Sequence, residues 1–93
     1  MRKPIFTKQF QKDYKKLERS GINLRLSNFI DKTISKLIKE ESLNPTYHDH
    51  ALKGEWQDCR ECHIQGNWLL IYRITKNNEI YFERTGSHAE LFN

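Results

Sequence analysis

The sequence predicts an α+β fold: two N-terminal helices on one face of a small antiparallel sheet, with three core strands and an N-terminal edge strand. Apolar residues recur at helical spacing between Phe6 and Ile38. From Cys59 onward the period drops to two, punctuated by turn signals at Gly66-Asn67 and Lys76-Asn77-Asn78. The length of 93 residues, 37% hydrophobic and 12% aromatic, suffices for one core of two layers, so residues 1–93 are expected to form a single domain.

Lys3 to Phe6 reads as extended, and Pro4 confines it to a sheet edge. Phe6, Phe10, Tyr14 and Leu17 follow at spacings of four, four and three, one stripe of a helix capped by Thr7 and stopped by Ser20-Gly21. Asn23 can start a second helix, in which Leu26, Phe29, Ile30, Thr33, Ile34, Leu37 and Ile38 form a broad apolar face. Asn44-Pro45 ends anything helical. Residues 43–57 are expected to be a loop. Strands are expected over Cys59–Ile64, Trp68–Ile74 and Ile80–Arg84, with Gly86 breaking the last and a helical turn or closing loop after it. The helices would cover one face of the sheet and leave the other free for function.

Charge is unevenly spread. Residues 1–46 hold 11 Lys/Arg against five Asp/Glu, a net +6, whereas residues 47–93 hold five against seven, a net −2. A basic first half attracts a polyanion or an acidic protein segment, although lysine-rich helices can equally be solvated faces. No run approaches the roughly 18 apolar residues of a membrane span. No apolar stretch follows the first charges, so a cytoplasmic protein without a signal peptide, and without membrane partners, is expected.

Cys59-Arg60-Glu61-Cys62-His63 matches the string of c-type haem attachment, but the physics opposes it. In a strand the two cysteines point to opposite faces, with Cα atoms about 10 Å apart after three steps of roughly 3.3 Å. That exceeds the roughly 7 Å limit for a disulfide. A pair splayed in this way cannot chelate zinc tightly, even with His48 and His50 as the other ligands. Reduced thiols used as small strand fillers are expected, with no cofactor and no metal.

The stronger constellation is His50, His63, Arg84 and His88. His63 lies near the end of the first core strand, Arg84 ends the last, and His88 follows the breaking glycine. Imidazoles titrate near neutrality and suit proton transfer, while an arginine fork suits a phosphate. Two histidines and an arginine are the parts that RNA transesterification needs. One group takes the 2′-hydroxyl proton, one protonates the leaving 5′-oxygen, and the cation stabilises the phosphorane. Trp68 reads as core. Trp56, beside the His50 loop, can stack on RNA, though packing is the commoner fate of an indole.

The blocks Tyr47-His48-Asp49-His50-Ala51-Leu52-Lys53-Gly54-Glu55-Trp56, Arg60-Glu61-Cys62-His63-Ile64, Trp68-Leu69-Leu70-Ile71-Tyr72-Arg73 and Phe82-Glu83-Arg84-Thr85-Gly86-Ser87-His88-Ala89-Glu90-Leu91-Phe92 resemble the YafQ-type branch of the RelE/ParE toxin superfamily. The order and spacing match across residues 47–93, and the upstream helices fit the same RelE-like fold. The resemblance implies the toxin of a type II toxin–antitoxin pair. Such a toxin is a metal-independent endoribonuclease that cleaves mRNA in the A site of the small ribosomal subunit, inhibits translation and leaves a 2′,3′-cyclic phosphate. The partners it implies are mRNA, the ribosome and a cognate antitoxin, with operator DNA reached only through the antitoxin. Carried over by position, His88 would be the general acid and His50 the general base, with His63 positioning or sharing that role. Arg84 would hold the phosphate and Phe92 would stack on a base. Asn67 stands where the family pattern has an aspartate before the strand tryptophan; an amide can position but not accept a proton. Two alternatives stand beside this reading. A ParE-like gyrase-directed toxin of the same fold is not expected to carry the histidine set, and a non-catalytic RNA-binding module would bind RNA in a salt-dependent way without cleaving it.

Overall fold

The computed structural model of the chain describes residues 1–19 and 24–92. Its elements are β1 (Lys3–Phe6), α1 (Lys8–Arg19), α2 (Leu24–Ile38), β2 (His50–Ala51), β3 (Arg60–Gln65), β4 (Trp68–Ile74), β5 (Glu79–Ser87) and α3 (His88–Phe92). The strands form one sheet in the order β1-β5-β4-β3-β2. The α+β class stands, with two corrections. The sheet has five strands, because two residues of the expected 43–57 loop pair as β2 with Arg60 and Glu61. It is also mixed, because β1 joins β5 in parallel.

Thr7 caps α1 as expected: its Oγ1 accepts the Phe10 N–H at 3.0 Å and donates to the Glu83 carbonyl, so the cap also ties the helix to β5. Phe6 lies before the helix, stacked on Phe82 and tilted against Phe10, with ring centroids 5.1 and 5.6 Å away. The stop at Ser20-Gly21 and the start at Asn23 lie outside the described residues. α2 ends at Ile38, before Asn44-Pro45. Glu40 takes a left-handed φ of 63°, and the amides of Glu40 and Glu41 close on the carbonyls of Leu37 and Lys36 in a Schellman-type stop. Asn44 then caps a single 3-10 turn over Pro45–Tyr47.

The main core lies between α1, α2 and one face of the sheet. Phe10, Leu17, Leu26, Ile30, Ile34 and Leu37 of the helices meet Cys62, Leu70, Tyr72, Ile80 and Phe82 of the strands. Strand alternation sends Glu61, His63, Leu69 and Ile71 to the opposite face. That face is not wholly free. Leu69 and Ile71 are fully buried under Leu91 of α3, Cys59, and the partly buried Leu52 and Trp56. Cys59 and Cys62 therefore sit in clusters on opposite faces, both as free buried thiols. Burial pushes the Cys62 thiol up to about 12 and the Cys59 thiol above its ordinary value.

Gly86 does not break the last strand. β5 continues through it to Ser87, pairing Gly86 with Leu69. The glycine serves close approach instead, since a Cβ there would lie 3.2 Å from Leu91 Cδ2. The two expected hairpin turns are present. Gly66 takes a φ of 57° at the first central position of the β3–β4 turn, where a II′ turn needs glycine, and Asn78 takes the left-handed conformation before β5.

Candidate functional site

Register brings the chemistry-bearing residues to the face turned away from α1 and α2. His50 pairs with Glu61, Glu61 with Ile71, and Ile71 with Arg84, so one row crosses four strands. The next row is His63–Leu69–Gly86. With strands about 4.8 Å apart, Glu61 and Arg84 are separated by about 10 Å at the backbone. His88 continues from the end of the second row.

At the β2–β3 side His50 and His63 flank Glu61. His63 Nε2 lies 3.3 Å and His50 Nε2 3.8 Å from the same Glu61 oxygen. Glu61 is 5% exposed, a buried carboxylate with imidazoles on both sides. His50 Nδ1 lies 2.6 Å from the His48 carbonyl oxygen. A carbonyl only accepts, so Nδ1 carries the proton and Nε2 is the nitrogen turned toward Glu61. His48 reaches this position with a left-handed φ of 47°, and its ring meets the edge of His63 at 5.5 Å. Asp49 anchors the loop: one of its oxygens accepts the Tyr72 hydroxyl at 2.6 Å and Arg60 Nε at 3.2 Å. Burial first, then the Asp49 hydrogen bond, push the Tyr72 phenol well above its ordinary value.

Sequence reasoning missed Glu61 and Asp49. The signal for Glu61 was available, because period-two alternation puts Glu61 and His63 on one face and Cys62 on the other. Ligand atoms of His50, Glu61 and His63 all lie within 4.8 Å of one another, so among the described residues these three, and not the thiols, are the ones that could hold a cation. Mixed imidazole and carboxylate donors suit zinc or copper.

Across the sheet Arg84 is already paired. Its Nε and Nη2 donate to the two oxygens of Asp13 on α1, at 3.1 and 3.0 Å. The Asp13 hydrogen bonds hold the guanidinium above its ordinary pKa against the opposing effect of burial. His88 opens α3, where its backbone N–H donates to the Asn67 carbonyl at 2.9 Å. Its ring lies 5.1 Å from that of Phe92, and both side chains are exposed. The histidine pair thus stands at the β2–β3 end of the two rows and His88 beyond their β5 end. Asn67 belongs with His88, and its side chain is exposed. Trp68 is structural: its indole donates to Thr85 Oγ1 at 2.9 Å, and the ring packs on the main core. Trp56 packs on the smaller cluster.

Ser87 and Glu90 make a capping box that holds α3. Ser87 Oγ accepts the Glu90 N–H, and Glu90 Oε1 accepts from both the amide and the hydroxyl of Ser87. The Lys16 ammonium, 2.9 Å away, and the Ser87 hydrogen bonds hold the Glu90 carboxyl below its ordinary 4.5. A depressed carboxylate stabilises above its unfolded value and is lost as pH falls through the folded one. α3 is therefore expected to fray reversibly on acidification below 4.5, seen as loss of amide protection at Ser87 and Glu90. Glu90→Ala should show the frayed signals already at neutral pH; pH-independent protection at these amides would contradict the assignment.

Comparison with known proteins places this fold among bacterial toxins. Residues 2–93 match the family described as the bacterial toxin of type II toxin–antitoxin system, YafQ. The chain is 33% identical over 88 residues to the mRNA interferase toxin YafQ of Escherichia coli K12, covering 94% of this chain and 91% of that one. It superposes on YafQ in the E. coli DinJ–YafQ complex with a TM-score of 0.87 at 33% identity, with both chains fully covered. A metal-bound toxin from Helicobacter pylori superposes with a TM-score of 0.85 at 42% identity, covering 99% of this chain and 100% of that one. The chain belongs to the YafQ family of type II toxin–antitoxin toxins. Among the described residues no helix is long and apolar enough to cross a membrane.

Proposed function

We propose that the protein is a ribosome-dependent mRNA interferase of the cytoplasm, held in check by a cognate antitoxin, and that it cleaves by acid–base transesterification. The observation that carries this reading is the row from His50 and Glu61 through to Arg84, with His88 at its far side. A phosphate held at the rim of the side chains that cover Ile71, between the histidine pair and Arg84, would have imidazoles and a guanidinium around it. The 2′-hydroxyl proton passes to Nε2 of His50 or to the ring nitrogen of His63 that does not face Glu61, and the 2′-oxygen bonds to the adjacent phosphorus. The bond from phosphorus to the 5′-oxygen breaks as His88 protonates that oxygen. The products are a 2′,3′-cyclic phosphate and a 5′-hydroxyl. Arg84 neutralises charge on the non-bridging oxygens as the phosphorane forms. Glu61, 3.3 Å from His63, neutralises the charge that the base gains with the proton. Phe92 beside His88 offers a ring on which a base can stack.

A cation at His50, Glu61 and His63 would occupy the lone pairs that this chemistry needs, so it would inhibit. The existence of a metal-bound relative makes this arm worth testing. The test is primer extension on a translated mRNA, with end-group analysis of the product, in EDTA and after addition of zinc or copper. Cleavage that survives EDTA, yields cyclic phosphate ends and falls on metal addition is the expected result. Activity abolished by EDTA and restored by metal would overturn the metal-independent mechanism. Induction that triggers a DNA-damage response while translation continues would favour the gyrase-directed alternative.

A further inference from the structure

The geometry points to Asp13 of α1 as a positioning residue for the reaction, holding Arg84 with one edge of its guanidinium tied down and the other presented to the scissile phosphate. The inference rests on the mechanism proposed above and extends it to a helix outside the matched histidine and arginine blocks. Among the described residues no strand lies on the outer side of β5 beyond Phe82, because β1 ends at Phe6 opposite Phe82. An exposed strand edge leaves amides without partners. α1 fills this gap with Asp13, which stands between Gln9 and Lys16 on one stripe of the helix. Asp13 Oδ2 accepts the Thr85 N–H at 3.2 Å and Arg84 Nε at 3.1 Å, while Oδ1 accepts Arg84 Nη2 at 3.0 Å and Gln9 Nε2 at 3.1 Å. The same stripe reaches α3, where Lys16 pairs with Glu90 of the His88 capping box.

The two partners are unequally committed. The Asp13 side chain is 10% exposed and both of its oxygens are filled, whereas Arg84 is 27% exposed. A guanidinium has five N–H donors in a rigid fork. Asp13 takes one from Nε and one from Nη2, which leaves both on Nη1 and the second on Nη2. Among the described residues no hydrogen bond uses Nη1. This remaining edge is the end-on fork that matches two phosphate oxygens. An arginine locked on one side loses little freedom when it engages phosphate on the other, which is how preorganised charge stabilises a transition state.

The test is single-turnover cleavage on programmed ribosomes by wild type, Asp13→Ala, Asp13→Asn, Arg84→Ala and the double variant Asp13→Ala/Arg84→Ala. Concentrations are matched by folded fraction. Misplacing a group by about 1 Å can cost about 100-fold, so Asp13→Ala should lower the maximal rate by about 10- to 100-fold. Half-saturation should stay unchanged or improve, because the variant surface is more positive toward RNA. In the Arg84→Ala background, removing Asp13 should change the rate by less than about two-fold, since a residue that acts through Arg84 has nothing left to position. Asp13→Asn keeps a carbonyl for the Thr85 N–H and serves if the alanine variant folds poorly; its rate should fall as well. Wild-type rates for folded Asp13→Asn or Asp13→Ala would overturn the proposal. So would an equal loss on removing Asp13 in both backgrounds, which would make Asp13 a matter of fold alone. Absence of cleavage by the wild type would instead sink the interferase mechanism on which this inference rests.

Discussion

Replacing His88 by alanine should lower single-turnover cleavage by about 100- to 10,000-fold, the usual contribution of a general acid or base, while ribosome binding is largely retained. The residue is suited to this test because the fold asks little of its ring. The imidazole is exposed beside Phe92, and the contact that seats α3 on the β3–β4 turn is made by the His88 backbone N–H, which alanine keeps. Loss of rate can therefore be read as loss of proton transfer. Arg84→Ala should be comparably damaging through lost charge stabilisation, but it also strips Asp13 of its counter-ion, so its interpretation needs the double variant. Asn67 should separate from both. Its service to His88 comes from its carbonyl, which every residue shares, so Asn67→Ala should cost less than His88→Ala. Asn67→Asp should be tolerated. The comparison belongs across pH 6 to 8 at matched folded protein. Full cleavage by His88→Ala would remove that residue from the chemistry, and an equal loss at Asn67→Ala would give the amide a larger role than positioning.

Local pattern made much of this architecture legible before the structure. The four-three spacing of Phe10, Tyr14 and Leu17 in α1 and its Thr7 cap are both present, though Phe6 ends β1, and so are the hairpins at Gly66 and Asn78, because each depends on residues within one turn of the chain. What escaped depends on distance. β2 is two residues long and exists only because His50 and Ala51 find Glu61 and Arg60 across a loop, too short a run for periodicity to register. Gly86 has the sequence look of a breaker, yet it is there to admit Leu91, a contact that only the packing of α3 creates. The Ser87-x-x-Glu90 box was a readable sign of α3.

The site divides along the same line. His50, His63, Arg84 and His88 were legible as chemistry-bearing types in matched blocks, and register arranges them along neighbouring rows of one face. The free state of that face was over-read, since tail and loop residues cover Leu69 and Ile71. Asp13 lies 71 positions before Arg84, and no local rule links them. An acidic residue in a helix where basic residues outnumber acidic ones was the only hint.

Replacing Glu61 by glutamine should lower the cleavage rate by about 100-fold or more, an effect on the scale of losing the base itself. The carboxylate is buried, and one of its oxygens faces both imidazoles, at 3.3 and 3.8 Å, so it can neutralise whichever of them takes the 2′-hydroxyl proton. Glutamine has nearly the same shape but no charge, so the histidines would lose that stabilisation. His50→Ala and His63→Ala should each reduce the rate, yet the double variant should fall little below the worse single one, because groups that act as a unit are not additive. Rates are compared at equal folded fraction. A Glu61→Gln protein with the wild-type rate would show that the carboxylate is only a structural filler. Strictly multiplicative losses at His50 and His63 would show that the two imidazoles act in separate steps and not as one base.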